Sequence, residues 1–115
     1  MVVDDERDVR DSLCEILQDA GYTPISAEHG ADALAQLRRM PPPDAIVLDL
    51  FMPEMNGWRF AEQLRQRDEL AKVPVIVVTA AGPYWGTPVP KERVLRKPFQ
   101  RAHLLRLLEQ VVGST

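Results

Sequence analysis

The chain has 115 residues, 45% hydrophobic and 27% charged, and a net charge of −3. That is room for one domain with one core, residues 1–115, and none for a second. No apolar run approaches the roughly 18 residues that a membrane span needs. The 14 basic residues are dispersed along the sequence, which argues against nucleic acid as the direct ligand, whereas acidic residues gathered at one site would favour a divalent cation.

In chain order, Met1-Val2-Val3 is a very short apolar start that runs into Asp4-Asp5-Glu6. As a strand it is clipped. From Asp8 the apolar positions Val9, Leu13, Ile16, Leu17 and Ala20 recur at steps of three and four, predicting an amphipathic helix that Gly21 stops. Cys14 falls on its core face and reads as a small buried hydrophobe, since a lone cysteine cannot form an internal disulfide. Thr23 to Ala27 is a brief second strand. Gly30 opens a second helix through Ala33, Leu34, Leu37 and Met40, which Pro41-Pro42-Pro43 terminates because proline supplies no amide hydrogen and restrains the residue before it.

Ala45 to Leu48 is an apolar run without alternation, the pattern of a strand buried on both faces, and it ends on a carboxylate at Asp49. Met52-Pro53 and Asn56-Gly57 then impose a compact turn. Phe60, Ala61 and Leu64 mark a third helix, with Trp58 at its start and Arg65, Arg67 and Asp68 on its wet side. Val73 to Val78 is a second fully buried strand, rich in β-branched residues, that ends on Thr79. The glycines and prolines between Ala80 and Glu92 leave no regular helix there. Val94 to Arg96 is a short strand, Lys97-Pro98 a turn, and Leu104, Leu105, Leu107, Leu108, Val111 and Val112 form the apolar stripe of a closing helix that Gly113 ends.

Strands alternating with helices over such spans imply parallel pairing with helices on both faces. In open sheets of this kind a ligand lies beyond the carboxyl ends of the strands. Asp4-Asp5, Asp49, Thr79 and Lys97 each stand at the end of a different predicted strand. Taken singly, Asp4 and Asp5 read equally well as helix-capping acids, Asp49 as a loop carboxylate, Thr79 as an ordinary strand end and Lys97 as a solvated charge. Their joint placement is what points to a site. Carboxylates packed within ~4 Å of one another repel strongly unless a cation or a raised pKa relieves them. His29 and His103 lie at helix starts without metal-ligand spacing.

The segments V-V-D-D-E, P-D-A-I-V-L-D-L-F-M-P-E-M-N-G, V-I-V-V-T-A and K-P-F, in that order, resemble the receiver domain of bacterial two-component response regulators. The resemblance covers nearly the whole chain. It implies an α/β, flavodoxin-like, doubly wound fold with a five-stranded parallel sheet in the order 2-1-3-4-5. It implies that Asp49 accepts a phosphoryl group from a histidine kinase phosphohistidine, a phosphotransfer protein or a small donor such as acetyl phosphate. Mg²⁺ would be held by Asp5, Asp49 and the Phe51 backbone carbonyl, with Asp4 acting directly or through water. Thr79 would hydrogen-bond a phosphoryl oxygen, Lys97 would pair with the phosphoryl charge, and the Lys97–Pro98 bond would be cis.

The chain departs from that family between Thr79 and Lys97. The segment is shorter by about one helical turn and broken by prolines, so the fourth helix is expected to be short, distorted or missing. Val94 replaces the aromatic residue that the family carries three positions before the lysine, which alters the usual output switch. Tyr84 and Trp85 would pack into the resulting gap or form a partner anchor. Phe51 and Ala81 cannot orient a hydrolytic water, so self-dephosphorylation should be slow. Two other readings are a degenerate receiver that binds partners regardless of phosphorylation, and a Mg²⁺-dependent aspartyl-nucleophile phosphohydrolase, which the small size and Phe51 disfavour. An output domain or effector protein is an expected further partner, and the chain reads as a stand-alone receiver or one excised from a longer protein. Without a signal or lipidation motif the expected compartment is the cytoplasm.

Overall fold

The computed structural model describes residues 1–52, 55–80 and 89–112. Five parallel strands form one sheet: β1 (Val2–Val3), β2 (Ser26–Ala27), β3 (Ile46–Leu48), β4 (Val75–Thr79) and β5 (Val94–Arg96), in the order β2-β1-β3-β4-β5. This is the expected doubly wound order. The crossovers carry α1 (Arg7–Asp19), α2 (Gly30–Leu37), α3 (Gly57–Arg65) and a short α4 (Asp68–Ala71), and α5 (Arg101–Val112) follows β5.

The unbroken apolar runs exist because the sheet is covered on both sides, so successive side chains enter opposite cores. On one face Val3, Ile46, Leu48, Val75 and Val77 pack with Ala33 and Leu37 of α2 and with Phe60 and Leu64 of α3. On the other, Val2, Val47, Ile76, Val78 and Leu95 meet Leu13 and Leu17 of α1 and Leu104, Leu107 and Leu108 of α5. Cys14 is half-buried against this second cluster, more open than its position on the helix stripe suggested. No helix among the described residues is long and apolar enough to cross a membrane.

Gly21 ends α1 in the left-handed region at φ 94°, where it can turn the chain without a Cβ penalty. Several element ends differ from the sequence expectation. Only Ser26–Ala27 of the expected second strand joins the ladder, because β1 offers just Val2 and Val3 as partners. The second helix stops at Leu37, short of Met40, as the chain tightens into a turn with Arg39 N–H bonded to the Gln36 carbonyl at 2.9 Å. Asp68, read as the wet side of the third helix, instead opens α4, which buries Leu70 completely enough to leave it 1% exposed.

Residues 81–88 lie outside the described residues, and with them the expectations for the fourth helix, Ala81, Tyr84 and Trp85; so does the expected stop at Gly113. Before β5 the described chain makes one 3₁₀ turn, Lys91–Arg93. Val94 sits half-buried at the start of β5, paired with Val77 and packed on the first core cluster.

Candidate functional site

Parallel strands end at the same edge of the sheet, and that edge gathers the candidate residues. Asp4 follows β1, Asp49 follows β3, Thr79 is the last residue of β4 and Lys97 follows β5. One carboxylate oxygen from each of Asp4, Asp5 and Asp49 lies within 4.8 Å of the others. Lys97 Nζ is 3.2 Å from Asp4 Oδ2 and 4.0 Å from Asp49 Oδ2. The pair with Asp4 joins residues 93 positions apart.

Asp4 and Asp49 are 1% and 7% exposed, while Asp5 faces solvent. Asp4 is held from all sides. Its N–H donates to the Ala27 carbonyl, its Oδ1 accepts from Glu6 N–H at 2.9 Å, and its carbonyl accepts from Arg10 Nη1 at 2.9 Å. Among the described residues, Asp49 Oδ1 receives only a long bond from Phe51 N–H, 3.4 Å. Burial pushes the Asp49 carboxyl up to about 6; Lys97 and the Phe51 N–H pull it back down, while Asp4 and Asp5 add to the rise. A carboxylate short of donors and crowded by two others is one that a cation would relieve.

The turn that aims Asp49 depends on Gly57. Its N–H bonds the Leu50 carbonyl at 2.8 Å, and a Cβ at that position would stand 2.7 Å from the Asp49 carbonyl oxygen and from Leu50 Cα. Asn56 caps α3 by accepting from Arg59 N–H at 2.9 Å. Phe51, whose N–H reaches Asp49, is 48% exposed and has its ring edge-on to Trp58, centroids 5.5 Å apart. Thr79 is buried, and its carbonyl accepts from Lys97 N–H at 2.9 Å, which ties the ends of β4 and β5 together. The Lys97–Pro98 peptide bond is cis.

The acids fit a hard divalent ion by donor chemistry: all oxygen, clustered, with one exposed member leaving room for retained waters. His29 has a structural task, its Nδ1 capping α2 by accepting from Asp32 N–H at 3.1 Å. His103 is exposed in the first turn of α5. Arg10 is a site neighbour that sequence patterns do not reveal, because a helical arginine reaching back six residues to a carbonyl follows no spacing rule.

Residues 1–109 match the response regulator receiver domain. The chain is 31% identical over 118 residues to protein PilH of Pseudomonas aeruginosa, covering 99% of this chain and 97% of PilH. It is 30% identical over 116 residues to the phosphate regulon transcriptional regulatory protein PhoB of Escherichia coli, covering 97% of this chain but 50% of PhoB, so it spans half the length of that relative. The receiver domain of sensor histidine kinase PA1611 from Pseudomonas aeruginosa, solved with a magnesium ion coordinated in its active site cleft, has a TM-score of 0.82 at 26% identity, covering 98% of this chain and 96% of that one. Matched over its sheet, its helices and its acidic edge, the chain belongs to the response regulator receiver domain family.

Proposed function

We propose that this receiver takes a phosphoryl group onto Asp49 from the phosphohistidine of a histidine kinase or phosphotransfer protein, with Mg²⁺ held by Asp4, Asp5, Asp49 and the Phe51 backbone carbonyl. The observation that carries the reading is the meeting of three carboxylates within 4.8 Å of one another beside the Lys97 ammonium. An Asp49 oxygen attacks phosphorus as the donor's P–N bond breaks; the electron pair stays on the imidazole nitrogen, which then takes a proton from solvent. A carboxyl that titrates near 6 is ionised, and so nucleophilic, at neutral pH and above. When bound, the cation offsets charge on the phosphoryl oxygens and the acids. Lys97 exchanges its bond to Asp4 for one to the incoming phosphoryl group, and the Thr79 hydroxyl donates to another of its oxygens. Phosphoryl transfer of this kind needs positioning and charge compensation and little else from a protein.

The chain assists its own phosphorylation and turns over no external substrate. It works in the cytoplasm and hands its state to an output domain or effector protein. Incubation with acetyl phosphate and Mg²⁺, followed by intact mass measurement, should add one phosphoryl group to the parent and none to Asp49→Asn; equal gain in both would end the assignment. Phosphate loss from the isolated phosphoprotein should be slow, because Phe51, two residues past Asp49, has no side-chain group to orient water.

A further inference from the structure

We infer that Arg10 is a positioning residue for the cation site, acting through the backbone of Asp4 and touching neither the ion nor the phosphoryl group. This rests on the magnesium reading proposed above. β1 ends at Val3, so the carbonyl of Asp4 lies past the ladder and has no strand partner; Arg10 Nη1, one turn into α1, donates to it at 2.9 Å. The same turn is closed by Glu6 N–H on Asp4 Oδ1 at 2.9 Å. Asp4 is buried, and a carbonyl cut off from water is costly to leave unpaired. Asp5, the exposed acid of the cluster, carries no side-chain hydrogen bond or ion pair among the described residues. Where its carboxylate points is therefore decided by the Asp4–Glu6 backbone, and Arg10 clamps that backbone from outside.

Charge and geometry oppose each other here, which makes the inference easy to test. Arg10 is a cation beside a cation site, so as a charge alone its removal would tighten Mg²⁺ binding. As a clamp, its removal loosens Asp5 and weakens binding. Calorimetric titration of the full chain with MgCl₂ should show Arg10→Met binding about tenfold more weakly than the parent, the usual penalty for losing a group that orients a ligand. Arg10→Lys, which keeps a donor on a long stem, should recover most of that loss. In the metal-free protein the Glu6 amide should exchange with solvent faster in Arg10→Met than in Arg10→Lys, a readout that needs no ion. Unchanged or tighter Mg²⁺ binding in a folded Arg10→Met, or equal weakening in both variants, overturns the inference while leaving the magnesium reading intact. A parent chain that binds no Mg²⁺ overturns both.

Discussion

At neutral pH Asp49 is ionised at a cost to folding. A carboxyl raised in the fold to about 6, from 3.8 unfolded, keeps its proton longer in the native state. Metal-free stability is thus full below the unfolded value and falls as pH rises between the two, by about 3 kcal/mol at most. Asp49→Asn removes the buried charge. The metal-free variant should be more stable than the parent at pH 8, by about 1–3 kcal/mol, with the gap closing by pH 4; urea midpoints at the two pH values check this. Lys97 opposes the rise, so Lys97→Met should push the Asp49 carboxyl above its parent value in a carbon-13 titration. The same change should slow phosphoryl uptake by about a hundredfold if Lys97 meets the transferring charge as proposed.

At the scale of elements, the strands were legible because a sheet covered on both faces needs continuous apolar runs, and Ala45–Leu48 and Val73–Val78 have them. Their polar ends meet at one edge of the sheet. What a period could not carry stayed hidden. The four residues of α4 are too few to display a helical repeat, and the length of β2 was decided by its partner's two residues and not by its own composition. Arg10 was hidden for the same reason, since its role depends on where β1 stops. The β3–α3 turn makes its own prediction. Because a methyl at Gly57 would meet the Asp49 carbonyl oxygen and Leu50 Cα at 2.7 Å, and Leu50 Cδ2 at 2.9 Å, moving the Leu50 side chain alone would not make room, and Gly57→Ala must shift the turn after β3 or the start of α3. The expected loss is about 2 kcal/mol or more, measured by denaturant unfolding, with weakened Mg²⁺ binding as Asp49 is displaced.

For the whole molecule, the site is assembled from segments spread from Asp4 to Lys97 and exists only when the sheet is complete. Binding of the proposed cation would therefore be linked to folding. A hundredfold excess of Mg²⁺ over its Kd should stabilise the parent by about 2.7 kcal/mol, seen as a rise in Tm. Asp49→Asn should gain far less from the same addition, which separates a site effect from a general salt effect.

The two strands at the margins of the sheet, Ser26–Ala27 and Val94–Arg96, are only two and three residues long, and the second runs directly into the Lys97–Pro98 bend. A foreign strand arriving at either margin would find room for one or two backbone bonds before the chain turned away. Fibril-like stacking through the sheet is thereby discouraged by brevity alone, and any specific pairing of copies falls to the helices and loops that clothe it.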